Sequence, residues 1–417
     1  MGDYKALIET SSNFEELRLS WWDRTFSPIN PGSIRGSILT FCSNAIGAGL
    51  LSLAYAVKLA GIIPGVCMLV LGCFIYRFYY RVVVRAQDKT QQFTFIGMIQ
   101  SMFGETSRRV LEICLCMALF GFLCAFQALS AQYLTDIFLI FSSEFDPERV
   151  RKVVLLAISL FIHTPLVIPK RLSSLRYASA ICIFSILYIA LVLVVQTPYY
   201  LSQQTPEIRF FKLDSSVLDA LNLTLFAYDA CTAIPMIYEE LHNRSFRRMS
   251  KVIDRSLMLS AVLYISIGLM GYISLGEATP ELITDRNYYW GELDWWMIVA
   301  KFMIASTLVA AISINMNPLR LSIQQMVFGI QFQHNDLNFY LITYFCLYAS
   351  TSIAILVPKA IVYFKFLGGI FVIPVAVLVP GLLYLKLPGP LLNKILVSLV
   401  TLSLSLVGLY SACSTIL

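Results

Sequence analysis

Apolar residues in this chain come in long runs separated by short polar joints. Each run holds roughly 20 residues, enough for a helix to cross a hydrocarbon layer of ~30 Å. The strict alternation of a membrane β-barrel strand is missing from them. The pattern predicts about eleven spans, over residues 35–60, 62–86, 109–140, 152–169, 176–198, 216–240, 252–276, 294–328, 337–357, 361–386 and 391–416. The first 34 residues are polar and read as a tail on a transmembrane domain of residues 35–417. The tail has no basic stretch leading into an apolar run and a small-residue cleavage site, so no secretory signal peptide is expected.

Composition supports the pattern. Of 417 residues, 58% are hydrophobic and 13% charged, against about half and a quarter in soluble domains. The reading is an all-α polytopic membrane protein. Charge then orients it. Arg85, Lys89, Arg108 and Arg109, then Lys170, Arg171 and Arg176, then Arg244, Arg247, Arg248, Lys251 and Arg255 lie in one set of joints. Glu144, Asp146 and Glu148, then Glu277, Glu281, Asp285, Glu292 and Asp294 lie in the other. The positive-inside rule puts the basic set and the N-terminus in the cytoplasm, and the C-terminus outside or in a lumen. The net charge of +6 therefore points to the lipid bilayer and not to nucleic acid. Arg77, Arg81 and Arg85 recur every four residues, as snorkelling anchors or as a ligand site.

The ten cysteines fall inside predicted spans without metal spacing. The sequons at Asn222 and Asn243 lie in a span and in a cytoplasmic joint, where no glycan is expected. There is no phosphate loop, no His-Glu-x-x-His and no nucleophile elbow, so an enzyme is not expected. His163 at a span end, and His242 and His334 in joints, read as interfacial polar residues. Function has to come from interruptions in the spans.

The first interruption is "SNAIGAGLLSLAYAVKLAGIIPG", Ser43–Gly65. Asn44, Gly47 and Gly49 weaken a helix where lipid offers no partner for a freed backbone group. Two explanations stand: close helix packing through small residues, or a discontinuous helix whose bare amides and carbonyls bind substrate and ions. The second interruption is "LNLTLFAYDACTAIPMIYEEL", Leu221–Leu241, with Asp229 at mid-depth, then Thr232 and Pro235. An intramembrane carboxylate is expensive, and proline removes an amide donor. Broken first and sixth spans are the pattern of two five-helix repeats of inverted topology. Spacing divides the chain into 35–198, 216–386 and an extra helix over 391–416.

"GSILTFCSNAIGAGLLSLAYAVKLAG", Gly36–Gly61, resembles the first span of the amino acid/auxin permease family, nearest its sodium-coupled neutral amino acid transporters and vacuolar amino acid transporters. "PMIYEELHNRSFRRMSKVI" (Pro235–Ile253), "RLSSLRYAS" (Arg171–Ser179), "GYISLGE" (Gly271–Glu277) and "NPLRLSI" (Asn317–Ile323) are similar to the same family, in order along nearly the whole chain. The resemblance implies the leucine-transporter-like fold and alternating access. It implies that amides around Asn44, Ala45, Ile46, Gly47, Ala48 and Gly49 meet the substrate carboxylate. Carbonyls of Phe226, Ala227 and Tyr228 would take the α-ammonium, so that helix ends hold a zwitterion without buried side-chain charge.

In the sodium-coupled members an ion sits between the first broken helix and a hydroxyl of the eighth span. Asn44 matches the family asparagine. Counting back from Pro318 and Arg320 lands on Val309 or Ala311 instead of the expected threonine; Thr307 and Ser313 stand nearby. A hard cation wants several oxygens. Asp229 offers three other roles: a proton carrier for symport, a partner for a cationic side chain, or a helix N-cap. No cofactor is expected beyond a coupled sodium ion or proton. Asp3 to Ile8 fits an acidic dileucine sorting pattern, which would favour an endosomal, lysosomal or vacuolar membrane over the plasma membrane. The readings left are a monomeric secondary active transporter for small neutral amino acids, an amino-acid-sensing receptor, and a transport-inactive subunit of a larger assembly.

Overall fold

The computed structural model describes residues 32–45, 47–142, 144–168, 176–203, 205–212, 214–286, 294–328 and 336–416. The tail with its sorting pattern, Ile46 and His334 lie outside the described residues, as does part of the Arg171–Ser179 stretch. No strand occurs among the described residues. Ten helices are long and apolar enough to cross a membrane, and the pair Ile34–Ala45 and Gly49–Ala60, bent by 57°, makes an eleventh. Span 1 is this pair. Spans 2 to 6 are Ile62–Thr90, Glu105–Phe141, Pro147–Val167, Arg176–Gln203 and Ser216–Glu240. Spans 7 to 11 are Phe246–Leu275, Trp295–Phe328, Asp336–Leu356, Ala360–Lys386 and Leu391–Ile416.

Several helices outrun their apolar runs. Span 7 starts at Phe246, six residues before hydropathy rises, because Ser245 Oγ caps it by accepting from the Arg248 amide at 3.3 Å. A short helix, Phe95–Phe103, links spans 2 and 3. Thr94 Oγ1 opens it by accepting from the Gly97 amide at 3.0 Å. Gly104, with φ of 87°, turns the chain into span 3. This helix is apolar enough to stand out but, at nine residues, too short to register as a span.

Arg77 and Arg81 of span 2 both pair with Asp254 of span 7, at 2.8 and 2.7 Å. One reading of a polar residue needs correction. His163 is not interfacial. It is fully buried at the end of a π turn, Ser159–His163, that packs against spans 8 and 9. Neither ring nitrogen has a hydrogen-bond partner. A wide turn of this kind often marks a functional segment. Span 10 carries two more, Gly368–Val372 and Pro374–Leu378.

The interior has two parts. A large cluster takes residues from every span and is densest in spans 1, 2, 6, 7 and 10, and a smaller one, built on Cys116, Leu123, Val167, Ile312, Met316 and Leu347, joins spans 3, 4, 8 and 9. At the acidic end, the loop after span 7 is pinned to spans 3 and 8. Thr284 and Tyr133 share a hydrogen bond of 2.7 Å, Asp285 Oδ2 accepts from Gln132 at 2.8 Å, and Lys301 lies between Asp136 and Asp285. The turn Ile283–Asp285 in this loop touches the first break.

Candidate functional site

Both interruptions are real breaks. In span 1 the helix stops at Ala45, Gly47 is extended (φ −110°, ψ −163°), and a 3-10 turn Ala48–Ser52 leads into Leu53–Ala60. In span 6 the helix stops at Ala227. A 3-10 turn Cys231–Ala233 follows, and Pro235 sits in the first turn of Ile234–Glu240, where its missing amide costs nothing.

Breaks strand backbone groups, and here tyrosines satisfy them. Tyr264 Oη donates towards Ala45 O at 2.9 Å and Ala227 O at 2.7 Å, so one hydroxyl ties the two breaks together. Tyr80 Oη donates to Tyr228 O at 2.6 Å and accepts from the Ala230 amide at 2.7 Å. Tyr76 Oη donates to Leu225 O, and Tyr228 Oη to Leu69 O. All four tyrosines are fully buried, where an unpaired hydroxyl or carbonyl would be costly. Tyr228 stood out in the sequence for its carbonyl alone, and Tyr76, Tyr80 and Tyr264 did not stand out at all: tyrosines scattered through apolar runs look like filler.

Between the breaks lies a cavity of about 580 Å³, within the usual range for a small-molecule site. Of the candidate site residues, Asn44, Ala45, Gly47, Gly49, Phe226, Ala227, Asp229 and Thr307 line it. Ile46 lies outside the described residues, and Tyr228 faces span 2 instead. Ser313 is turned away, donating to Leu166 O of span 4 at 3.1 Å. Of Val309 and Ala311, the two positions where a threonine is expected, Ala311 is on the wall. The hydroxyl pair that does face the cavity is Thr307 with Ser185 of span 5, 3.2 Å apart. Thr232, named only as part of the second interruption, lines the cavity too, and Ser185, Thr40 and Asn315 were missed. So was the aromatic wall of Phe122, Phe126 and Phe226, whose rings stack at centroid spacings of 5.9 and 6.0 Å.

The two glycines divide the competing explanations between them. A Cβ on Gly47 would meet nothing within 4 Å, and Gly47 is exposed to the cavity. A Cβ on Gly49 would lie 2.8 Å from the Phe226 ring and 3.2 Å from Ala227 Cα. Gly49 lets the breaks touch; Gly47 leaves open space beside the cavity where a side chain would stand, its own amide donated to Ala45 O at 3.1 Å.

Three carbonyls expected to hold an ammonium are already engaged. Phe226 O accepts from the Asp229 amide at 3.3 Å, and Ala227 O and Tyr228 O accept from tyrosines. Each keeps a second lone pair. Asp229 is the only charged side chain lining the cavity among the described residues. Its Oδ1 accepts from the Cys231 amide at 3.0 Å, capping the turn after the break. Asn44 Nδ2 donates to Thr40 O at 2.7 Å. The cavity is exposed at Asn44, Gly47 and Thr232 and shut at Leu50, Leu51 and Phe226, so it opens towards the end that carries the basic joints.

A family profile described as "Transmembrane amino acid transporter protein" matches residues 30–415. The chain belongs to this family. A member named "Putative amino acid transporter AAT1" from Toxoplasma gondii is 26% identical, over 72% of this chain and 41% of its own length. "Vacuolar amino acid transporter 6" of Saccharomyces cerevisiae is 27% identical over 59% of this chain and 56% of its own. "Sodium-coupled neutral amino acid symporter 2" of Danio rerio is 22% identical over 92% of this chain and 82% of its own. The chain spans about half the length of the Toxoplasma and Plasmodium relatives it matches. The manganese transporter of Eremococcus coleocola shares the fold, with a TM-score of 0.56 at 12% identity, covering 92% of this chain and 86% of that one. This family member therefore has the leucine-transporter-like architecture that the resemblance implied, and the relatives it matches are named as transporters.

Proposed function

We propose that this chain moves neutral amino acids across a membrane by alternating access to the central cavity, with Asp229 carrying a coupled proton. The observation that carries the reading is a single carboxylate at the break of span 6, in a cavity otherwise lined by apolar groups, hydroxyls and amides. A zwitterion has one carboxylate and one ammonium to satisfy. Amides near Gly47 suit the first. Phe122, Phe126 and Phe226 form an apolar shelf for the side chain, wide enough for residues larger than the small neutral ones.

Sodium coupling has less support. Ser313 is spent on Leu166 and Ala311 has no side-chain oxygen, so the hydroxyl expected of the eighth span is missing at both places; Asn44, Thr40 and Ser43 of span 1, Ser185 and Thr307 carry the side-chain oxygens nearest the first break. A cation site normally collects six or more oxygens. Relatives with vacuolar names favour an internal acidic compartment, where a proton gradient is at hand.

The test is uptake of labelled neutral amino acids by the purified chain in liposomes, with sodium and proton gradients imposed separately. Uptake should follow the proton gradient and ignore sodium. Asp229→Asn should still exchange substrate but lose its response to pH. Asn caps a turn about as well as Asp, so unaltered pH dependence in that variant would leave Asp229 as a cap alone. Sodium-dependent flux would move the search to Thr307 and Ser185.

A further inference from the structure

Spans 2 and 7 run side by side and share a charged seam. Arg77 makes a two-toothed contact with Asp254, Nε to Oδ1 at 2.8 Å and Nη2 to Oδ2 at 3.1 Å. Arg81 Nη2 reaches both oxygens of the same carboxylate, at 2.9 and 2.7 Å. One turn on, the Arg85 guanidinium lies 5.0 Å over the Phe246 ring. These contacts fix the register: Arg77, Arg81 and Arg85 descend span 2 while Asp254, Lys251 and Phe246 descend span 7 beside them.

The seam faces outward. The side chains of Arg77 and Arg81 keep 40% and 32% exposure, and Arg85, Lys251 and Arg255 are exposed. On the membrane side it is bordered by exposed Phe74, Phe78 and Met258. Its depth follows from length. Span 2 has 29 residues, about 43 Å of helix at 1.5 Å per residue, against a hydrocarbon thickness of ~30 Å. The excess lies at the end with the basic joints, so Arg81 falls at the boundary between acyl chains and headgroups. One carboxylate serves two arginines, and three more cations follow within two turns. Arg81 Nε is buried without a hydrogen-bond partner. Positive charge in excess at a low-dielectric boundary calls for an anion.

We propose that the groove between spans 2 and 7 is a binding site for an anionic phospholipid of the leaflet beside the basic joints. Its headgroup phosphate lies between Arg81, Arg85 and Lys251, and its acyl chains lie against Phe74, Phe78 and Met258. Asp254 holds the two upper arginines in place and keeps the site selective for one anion. The site is separate from the central cavity and does not depend on what the cavity transports.

The test uses the whole chain in phosphatidylcholine bilayers with and without phosphatidylserine. Phosphatidylserine should raise the melting temperature, and native mass spectrometry should show it retained on the chain. Arg85→Gln leaves both Asp254 pairs in place, so it should fold normally in phosphatidylcholine. Its phosphatidylserine retention should fall roughly fivefold, the equivalent of about 1 kcal/mol per basic residue at an anionic surface. Arg81→Gln combined with Arg85→Gln should remove retention altogether. Equal retention by wild type and variants would overturn the proposal. So would inorganic phosphate giving the same stabilisation in pure phosphatidylcholine, since the occupant would then be a free anion.

Discussion

Gly47 and Gly49 are two residues apart and do different work. Gly47→Ala places a methyl in open cavity on a backbone any residue can adopt, so folding should be unaffected while substrate binding weakens. Gly49→Ala drives a methyl into Phe226 and Ala227, an overpacking cost of about 1–3 kcal/mol. Its thermal unfolding should shift down measurably even without substrate. If both variants melt like the wild type and differ only in uptake, the packing role of Gly49 is wrong. The sequence alone could show that both glycines weaken a helix. It could not separate them, because what distinguishes them is Phe226, 177 positions further along the chain. Asp229 was legible for the opposite reason: a carboxylate in an apolar run stands out by itself. Ser185 did not stand out, since a serine in a span is common and only its neighbour Thr307 gives it a place on the cavity wall.

At the scale of elements, apolar runs of membrane length identified the spans, and the loss of helix formers identified both breaks. The π turns of spans 4 and 10 left no trace in hydropathy, because they change hydrogen bonding without changing composition. Nor did the tyrosines that hold the breaks, whose partners are backbone atoms. Tyr264→Phe removes the one hydroxyl shared by Ala45 O and Ala227 O. Ala45 O keeps the Gly47 amide at 3.1 Å, so the cost of a buried carbonyl left without a donor, about 1–3 kcal/mol, falls on Ala227 O. The expected result is a lower melting temperature together with a loss of substrate binding, although Tyr264 does not line the cavity. Normal binding in that variant would mean that the breaks hold their shape without the strut.

At the scale of the whole molecule, the acidic end is closed and the basic end open. The closure depends on a loop whose Asp285 is pushed up to about 6 by burial, against the pull of Lys301. A carboxyl raised in the folded protein takes up a proton there before it does when unfolded. Stability is therefore gained as pH falls through about 6, and the ionised form is a burden at neutral pH. Asp285→Asn should raise the melting temperature at pH 7, and its advantage over the wild type should shrink by pH 5. A constant difference across that range would remove Asp285 from the closure.

The tyrosine struts also determine how the breaks behave in time. Interrupted helices usually exchange their backbone protons with solvent quickly, because nothing holds the freed amides. Here the Ala230 amide is donated to Tyr80, whose own proton is committed to Tyr228 O, and the whole group is buried. Deuterium should enter Ala230 as slowly as it enters the middle of an intact span, and Tyr80→Phe should release it by orders of magnitude. The two interruptions would then be stiff joints, and the motion that exposes the cavity to either side would be carried by whole helices pivoting around them.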